Sequence, residues 1–499
     1  MASRLCVLLL WAIAQTRAGF GPSVRVDHET RPAWACYHPD IALAPGCNGQ
    51  LVYVAFENDS VPFLVERSDI AFQRSTDGGL TWLPENVIVR RGNRFACYPD
   101  LKVAGDGTIH LVFTDRIDGS NGHICATRST DGGFTWETPV QVDDNPSRVP
   151  VGWARLALDS LGNLFCCWTD NRGGYLRVYA DRSTDGGLSW GTDIRVDDDT
   201  VSFNCYPPDV YVQPGTNHYL VVAVAPVRQP GGIVLHSHFY RSTDMGLTFS
   251  TGFQLDTFSG YCQQPHVVAD EGHIITDYTG NGYGNQCVTL ARTCFTPADS
   301  WSGQVLVTEL DTIYSSFTNG AKLAIDQNGT VHTALMIADR RTTIWNIYYT
   351  KSTDHGTSWL PREAVDSLPA IQQWDPTIAV DELGYAYIAW QDMRNPKAQI
   401  WFATNSQVGI SSQEIQRTRA GLCCLPAVFR DYTTILTDAP KVAIYDATGR
   451  LVRTLTARHS SAGAGHIWDG TGETGLVLPA GVYLVRAGAN STRVVLLSY

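Results

Sequence analysis

The stretch RSTDGGLTW at residues 74–82 returns as RSTDGGFTW at 128–136 and as RSTDGGLSW at 182–190. Two looser copies follow, RSTDMGLTF at 241–249 and KSTDHGTSW at 351–359. The aspartates that these copies share are separated by 54, 54, 59 and 110 residues, and they are Asp77, Asp131, Asp185, Asp244 and Asp354. The last interval is two periods long, and it contains a degenerate copy of the motif around Asp299. A repeat of about 55 residues therefore runs through most of the chain.

Each period contains several short apolar segments of strand length, joined by turns rich in Gly and Asp. This pattern is typical of a β-propeller, in which every four-stranded blade buries both faces against its neighbours. Copies of a fourth strand ending in Val-Asp or a related pair predict seven blades, with six as the alternative. The unit at 377–405 lacks a fourth strand, while SVRVDHE at 23–29 is a fourth strand without a blade. We therefore predict that the N-terminal strand closes the ring.

The chain beyond the repeats has a different β pattern. The segments KVAIYD, LVRTL and GVYLVRA alternate around glycine turns, which predicts a small β-sandwich. The predicted fold is thus all-β throughout. We expect a signal peptide at 1–18, a propeller at 19–408, a linker at 409–422 and a C-terminal domain at 423–499.

Charge and composition exclude several classes of function. A formal net charge of -12 argues against nucleic acid, whose binding requires a basic face. Arg4, the apolar run at 5–14 and the small-residue site at Ala18 predict export with cleavage near Ala18. The apolar run is too short to span a bilayer, and no later stretch is a membrane span. Of the 13 cysteines Cys6 leaves with the signal, so the even number that remains permits disulfides without fixing their pairing.

The motif S-x-D-x-G-x-[ST]-[WF] resembles the Asp-box, or BNR repeat, of the sialidase superfamily, and its five copies carry that resemblance across residues 20 to 408. YDATGRLVRTL at 445–455 and LPAGVYLVRA at 478–487 resemble the FlgD-type immunoglobulin-like domain. That domain is similar to the C-terminal sorting domains of bacterial type IX secretion. The resemblances imply a bacterial protein, secreted or on the cell surface, that meets secretion machinery through its C-terminal domain. An extracellular glycan or glycoprotein is the expected partner, and a monomer is the expected state.

The repeated aspartates are predicted to stabilise turns, because residues repeated around a ring serve the fold. Strand order puts these turns on one face, so a ligand is expected on the other face, where the innermost strands begin and the second strands end. The candidate ligand-binding residues there are Asp40, Asp100, Lys322, Arg341, Asp392 and Arg394. Bridges between blades and ion pairs in the channel are the structural alternatives for these residues. The recurring tyrosines Tyr37, Tyr98 and Tyr206 are interpreted as structural.

A sialidase site, as the resemblance implies, has three arginines that clamp a carboxylate, a Tyr–Glu nucleophile pair and an Asp acid/base. The nearest matches are SRVP with Arg148 and WTDNR with Arg172, and the sequence singles out no Tyr–Glu pair. The candidate catalytic residues are Arg148, Arg155, Arg172, Asp170, Asp209 and His266.

Three functions stay open at this point. The first is recognition of a glycan or other extracellular ligand in the central funnel, with catalysis unproven. The second is an exo-α-sialidase, and the third is an inverting glycoside hydrolase that uses two carboxylates from the set Asp100, Asp170, Asp209 and Asp392. No cofactor is certain from the sequence. The acidic runs 143–144 and 197–199 are candidate Ca²⁺ ligands, with solvated loops as the alternative.

Overall fold

The structure is a computed structural model, and parts of the chain are described in it. The described residues are 19–30, 34–45, 49, 51–59, 68–91, 95–118, 121–145, 149–216, 218–257, 262–283, 286–296, 300–307, 322–338, 344–366, 371–395, 397–406, 423–425, 428–429, 433–436, 439, 441–446, 449–456, 465–479, 481–488 and 490–496. The predicted signal peptide, the predicted linker and Asp299 lie outside these ranges.

Between residues 24 and 404 the described strands group along the chain into seven antiparallel units, of which the first three are joined in one 12-stranded sheet and the fifth has five strands. Units one and two comprise Ala35–Leu43, Val52–Asp59, Ser68–Ser75 and Val87–Arg90, then Phe95–Val103, Ile109–Asp118, Asn121–Ser129 and Val140–Gln141. Units three and four comprise Val149–Leu158, Leu164–Asp170, Arg177–Ser183 and Ile194–Arg195, then Tyr206–Val212, Tyr219–Gln229, Gly232–Ser242 and Phe253–Gln254. Unit five comprises Cys262–Ala269, His273–Tyr283, Gln286–Phe295 and a split fourth strand, Ser300–Trp301 with Val305–Leu306. Units six and seven comprise Lys322–Ile325, Val331–Ala338, Trp345–Ser352 and Glu363–Ala364, then Gln373–Val380, Ala386–Asp392, Gln399–Thr404 and Val24–Arg25.

The N-terminal strand closes the ring, as the sequence predicts. Val24 pairs with Phe402 and Arg25 with Trp401, so the first strand of the chain completes unit seven. The first strand of each unit lies beside the first strand of the next, and the strand at 35–43 lies beside the one at 373–380. The inner strands therefore form a closed cycle, which makes this region a β-propeller. The first and the last strands of the propeller belong to one sheet.

The Val-Asp pairs of the fourth strands have a structural explanation. Their apolar members are buried in the layers between units, as Val26, Val142 and Val196 illustrate. The aspartate that follows accepts a backbone N–H from the third strand of its own unit: Ile400 donates to Asp27 at 2.9 Å, Ile124 to Asp143 at 2.7 Å, Val178 to Asp197 at 2.7 Å and Ser237 to Asp256 at 2.7 Å. Where the short fourth strand ends, the carboxylate thus accepts the third-strand N–H that would otherwise lack a backbone partner in the sheet.

The five repeat turns, defined by the copies at 74–82, 128–136, 182–190, 241–249 and 351–359, are held by the same bonds. In the fourth-unit turn, the Ser242 hydroxyl donates to Asp244 at 2.7 Å and accepts the Gly246 N–H at 2.7 Å. Thr248 donates to both carboxylate oxygens of Asp244, through its N–H at 2.9 Å and its hydroxyl at 2.6 Å. Both carboxylate oxygens of the aspartate thus accept hydrogen bonds from residues of its own turn.

These bonds predict an acid-dependent loss of stability. Slight burial of Asp244 is outweighed by the Thr248 hydroxyl and N–H, which lower the pKa of this carboxyl to about 2. A lowered pKa stabilises the fold above the unfolded value of 3.8, and this contribution is lost as the pH falls through about 2. The difference in denaturant midpoint between the native chain and Asp244→Asn should therefore shrink between pH 5 and pH 2. A difference that stays constant over this interval would contradict the assignment.

The strands after residue 422 form two further sheets. One contains Cys423–Leu425, Thr433–Leu436 and Gly465–Trp468, and the other contains Val428–Phe429, Asn490–Leu496, Gly481–Ala487, Lys441–Tyr445 and Leu451–Thr456 in spatial order. Ile435 and Trp468 of the first sheet share a buried core with Ile444, Val485 and Val494 of the second. The C-terminal segment is a small β domain of two sheets, as expected.

No helix within the described ranges is long and apolar enough to cross a membrane. Seven described cysteines carry free thiols: Cys36, Cys97, Cys125, Cys166, Cys167, Cys205 and Cys262. Most of these thiols are buried in the propeller, where burial raises their pKa values and keeps them protonated. The even count of cysteines in the sequence therefore does not translate into a disulfide at these seven positions.

Candidate functional site

Six of the inner strands carry a β-bulge close to their start. In each bulge two residues of the first strand oppose one residue of the second. In unit one Tyr37 pairs with Glu57 and Asp40 with Ala55, so residues 38 and 39 together face residue 56. The same register shift occurs between Cys97 and Asp100, Gly152 and Arg155, Tyr206 and Asp209, Gln263 and His266, and Trp374 and Thr377.

The first residue of five of these bulges has a left-handed backbone. The residues are His38, Tyr98, Trp153, Gln264 and Asp375, with φ between 45° and 56°. The second bulge residue is Pro39, Pro99, Pro208, Pro265 or Pro376 in five of the six bulges. Proline suits that place because a bulged residue has no ladder partner for an N–H. The bulge turns the side chain of its first residue out of the sheet and towards the mouth of the funnel.

The bulges surround a cavity of about 430 Å³ on the propeller axis. Its lining comprises His38, Pro39, Tyr98, Pro99, Trp153, Arg155, Tyr206, Pro207, Pro208, Leu235, Cys262, Gln263, Gln264, Pro265, His266, Lys322, Asp375 and Pro376. The repeat turns follow the third strands, whereas the bulges lie where the first strands begin. Because neighbouring strands are antiparallel, the cavity and the repeat turns occupy opposite faces, as the sequence predicts for a ligand site.

One wall of the cavity is a row of rings from three consecutive units. The ring centroids of His38 and Tyr98 are 4.9 Å apart, and those of Tyr98 and Trp153 are 5.7 Å apart. The Arg116 guanidinium lies 5.8 Å from the centroid of Tyr98. Rings packed in this way hold one another in place, so their faces form a rigid surface for a ligand.

His38 is held between two carboxylates. Its Nδ1 lies 3.0 Å from Oε1 of the buried Glu57, and its Nε2 lies 3.6 Å from Oδ2 of Asp375. Burial alone would lower the pKa of His38, but Glu57 and Asp375 together raise it to about 9. Glu57 is fixed in turn by the Tyr98 N–H, which donates to it at 2.6 Å. The cavity therefore presents a cationic imidazole at neutral pH.

Replacing Glu57 by Gln should lower the pKa of His38 from about 9 to its ordinary range or below, because the desolvation penalty then loses its main counterweight. The raised pKa also makes this pair stabilising below pH 6.5, and that contribution disappears as the pH rises through about 9. An NMR titration of the imidazole Cε1–H signals, with His38 assigned by His38→Gln, measures the shift. Glu137→Gln, a change on the opposite face, is the control. Titration of His38 near 6.5 in the native chain would contradict the assignment.

Basic side chains from three units form the floor of the cavity, and each has a buried acidic partner. Lys322 Nζ lies 3.4 Å from Asp40, Arg155 Nε lies 3.7 Å from Asp100, and His266 Nδ1 lies 3.0 Å from Asp277. Burial opposes ionisation of Asp40, but Lys322 and Lys102 lower its pKa. Burial raises the pKa of Asp100 even though Lys102 lies 2.6 Å away. Charge is thus balanced under the cavity rather than left bare.

The structure separates the sequence-predicted residues into two groups. Arg155, His266 and Lys322 line the cavity. Asp40, Asp100 and Asp209 do not line it, because they act within the ring: Asp40 accepts the Leu101 N–H at 2.8 Å and Asp209 accepts the Val267 N–H at 3.0 Å, each from the next unit. These aspartates connect neighbouring inner strands. They therefore have the role of bridges between blades, which the sequence analysis gives as the structural alternative.

The Asp-x-Arg pairs also lie away from the cavity lining. Arg172 binds Asp170 and Asp193, both at 2.6 Å, and lies 4.1 Å from the centroid of Tyr179. Arg394 binds Asp392 at 2.6 Å, contacts Asp366 of the preceding unit and lies 3.5 Å from the centroid of Trp401. Each of these arginines is thus paired with two aspartates of the protein, and it connects chain segments at the edge of the sheets. Arg148 and Arg341 lie outside the described residues.

Two of the recurring tyrosines interpreted as structural, Tyr98 and Tyr206, line the cavity. Spacing could have indicated Tyr98 but not Tyr206: Tyr98 comes two residues before Asp100, whereas Tyr37 and Tyr206 come three residues before Asp40 and Asp209. Only the shorter spacing puts the tyrosine at the first bulge position, where His38 stands in unit one.

The acidic runs considered as Ca²⁺ ligands are occupied by protein donors. Asp143 binds His123 at 3.1 Å, and Asp197 binds Arg195 at 2.8 Å. Asp199 accepts the Val201 N–H at 2.8 Å. Asp197 and Asp199 also share the Arg177 guanidinium, at 4.0 Å and 3.5 Å.

Residues 433–493 match the FlgD Ig-like domain family. No curated protein matches the chain. Among solved structures, an ulvan lyase, described as a new family of polysaccharide lyase, has a TM-score of 0.50 at 11% identity and covers 77% of this chain and 98% of its own. An α-L-arabinanase of Penicillium chrysogenum has a TM-score of 0.45 at 15% identity, covering 77% and 98%. A mutant NanB sialidase of Streptococcus pneumoniae has a TM-score of 0.43 at 11% identity, covering 76% and 69%. At these identities the likeness describes the β-propeller fold alone.

Proposed function

We propose that the protein binds a saccharide in the cavity formed by the inner-strand bulges. The observation that carries this proposal is the wall of His38, Tyr98 and Trp153, which lines one cavity of about 430 Å³ together with the basic side chains of Arg155, His266 and Lys322. A pyranose ring presents C–H groups on its faces and hydroxyl groups at its edge. Aromatic faces suit the former, and convergent polar groups suit the latter.

The polar groups of the cavity favour a ligand that accepts hydrogen bonds. Arg155 and Lys322 retain exposed side-chain fractions of 19% and 22%, and both donate only. His38 adds a third donor while it is protonated. Asp375, which lies beside His38, and Gln264 supply acceptors. Hydroxyl, carboxylate or sulfate oxygens of a glycan match this arrangement.

Binding is better supported than the two hydrolase alternatives. A sialidase needs three converging arginines, and Arg155 is the one arginine that lines the cavity among the described residues. The Tyr98 hydroxyl is a poor nucleophile, because burial and Glu57 raise its pKa further. For an inverting hydrolase, Asp100, Asp170 and Asp392 are buried in ion pairs with Lys102, Arg172 and Arg394. None of these carboxylates has free access to a water molecule beside a substrate.

We also propose that the protein acts outside the cell. The export signal that the sequence predicts at the N-terminus and the match of residues 433–493 to the FlgD Ig-like domain support this. In this proposal the C-terminal domain connects the propeller to the secretion machinery or to the cell surface, and the cavity meets glycans of the surroundings.

Isothermal titration of residues 19–499 with ulvan oligosaccharides, arabinan oligosaccharides and sialyllactose tests the proposal. These probes cover acidic sulfated, neutral and sialylated glycans. Saturable binding of one probe class supports a saccharide site, and the absence of heat with all three at millimolar concentration contradicts it. Product analysis of the same mixtures, by reducing-end release and by absorbance of unsaturated sugars, distinguishes binding from hydrolysis or elimination.

A further inference from the structure

A second cluster of functional side chains lies on the face of the repeat turns, away from the cavity. Asp270 follows the first strand of unit five, His273 begins its second strand, and His355 lies in the repeat turn of unit six. His273 Nδ1 is 3.0 Å from Oδ1 and 3.2 Å from Oδ2 of Asp270. His355 Nδ1 is 2.9 Å from Oδ2 of the same carboxylate. The exposed side-chain fractions are 25% for Asp270 and His273 and 32% for His355, so solvent reaches the cluster.

The fold itself does not require a histidine at position 355. The corresponding residue of the other repeat turns is Gly78, Gly132, Gly186 or Met245. Its backbone is left-handed, with φ of 56° at His355, a conformation that costs a non-glycine residue stability. His355 is nevertheless anchored, since the Thr293 hydroxyl of unit five donates to its carbonyl oxygen at 2.5 Å.

The neighbouring backbone leaves room for the imidazole. A Cβ atom on Gly329 would lie 2.5 Å from Cε1 of His355, so glycine at 329 is what allows the ring to lie beside Asp270. The ring also stacks on His273, with centroids 3.8 Å apart and planes 17° from parallel. Two imidazoles therefore present the same nitrogen to one carboxylate, across the boundary between units five and six.

We propose that Asp270, His273 and His355 bind a divalent transition-metal ion of the zinc type, which links units five and six on the face opposite the cavity. The three donor atoms lie within 4.8 Å of one another. Ligands about 2.0–2.2 Å from a tetrahedral zinc ion are roughly 3.3–3.6 Å apart, slightly more than the 2.9–3.2 Å separations seen between the imidazoles and the carboxylate. Two imidazoles and one carboxylate suit zinc, nickel, cobalt or iron better than calcium.

The cluster offers a divalent ion one carboxylate oxygen and two imidazole nitrogens. A divalent ion binds both nitrogens in their neutral form and leaves its remaining positions to solvent. Because a metal lies in the plane of the imidazole that binds it, the two rings tilt towards each other on binding.

Titration of the untagged chain, residues 19–499, with Zn²⁺ by calorimetry and with Co²⁺ by visible absorption tests this proposal. We expect one high-affinity ion per chain at micromolar concentration or below, and a Co²⁺ d–d spectrum that Zn²⁺ abolishes. His355→Gly, which restores the residue of three other repeat turns, should weaken binding at least tenfold. Met245→Gly makes the matched change in the fourth-unit turn and should leave binding unchanged.

Two results would overturn the proposal: an absence of saturable binding below millimolar Zn²⁺, or an affinity that His355→Gly does not alter. Circular dichroism establishes that the variants are folded. If His355→Gly is unstable, His273→Phe serves in its place, because it keeps a ring against Phe295 and His355 while removing the ligand atom. An unchanged affinity in that variant contradicts the proposal equally.

Discussion

Trp153→Ala is expected to weaken binding of the oligosaccharide that binds the native chain by about tenfold or more. Trp153 provides the largest ring of the cavity wall, in contact with Tyr98, and its removal deletes the surface against which a sugar face packs. Aromatic residues at the centre of an interface commonly contribute about 2 kcal/mol or more, and 1.4 kcal/mol corresponds to a factor of ten. Titration calorimetry with the same oligosaccharide measures the change.

Phe134→Ala is the matched control for this variant. Phe134 is an exposed aromatic residue, 46% accessible, in the repeat turn of unit two on the opposite face. Its removal should leave the affinity unchanged. Equal losses in Trp153→Ala and Phe134→Ala, or no loss in Trp153→Ala, would move the binding site away from the cavity.

Gly133→Ala is expected to destabilise the propeller by several kcal/mol. Gly133 has a φ of 90°, and an added Cβ would lie 2.1 Å from Cε1 of Phe72 in the preceding unit. Phe72 cannot move away freely, because Tyr53 stacks on it at 5.7 Å and Trp136 contacts its edge at 5.3 Å. The left-handed backbone costs about 1–2 kcal/mol, and overpacking adds about 1–3 kcal/mol. Chemical denaturation of both chains gives the difference in unfolding free energy.

Gly174→Ala separates the two causes of that loss. Gly174 has nearly the same φ, 91°, but nothing lies within 4 Å of an added Cβ. This variant should lose only the backbone contribution of about 1–2 kcal/mol. If Gly133→Ala costs no more than Gly174→Ala, the repeat turn of unit two does not pack against Phe72 as described.

Much of the fold follows from the repeats. The period of the S-x-D-x-G motif predicts the units, and the unpaired strand at 23–29 predicts the closure that the Val24–Phe402 pair provides. These features are local patterns, since turn residues and alternating strands depend on neighbours in sequence. The separate β domain at the C-terminus follows from its own alternation in the same way.

The candidate site was only partly predictable, because a bulge changes which side chain faces the funnel. Asp40 and Asp100 were predicted to line the site because they stand where the inner strands begin, the position that Arg155 and His266 occupy in units three and five. The bulge adds a residue before that position, and through it His38 and Tyr98 line the cavity, whereas Asp40 and Asp100 do not. In five of the six bulges the second residue is a proline. This repeated proline is the local sign of the bulge in the sequence, and it could have indicated the extra residue.

The roles of the charged residues depend on partners that are distant in sequence. Lys322 meets Asp40 across the closed ring, at a separation of 282 residues. His38 meets Asp375 in the same way, from the last unit of the ring. No periodicity encodes such pairs, because the ring is closed only in three dimensions.

Hydrogen–deuterium exchange of the native chain, with and without a saturating oligosaccharide, tests the central claim most directly. The account predicts protection in peptides that contain the bulges, such as those spanning 95–103, 149–158 and 262–269, with no change in the repeat turns. Protection confined to the repeat turns or to residues 433–496 would contradict a saccharide site in the cavity.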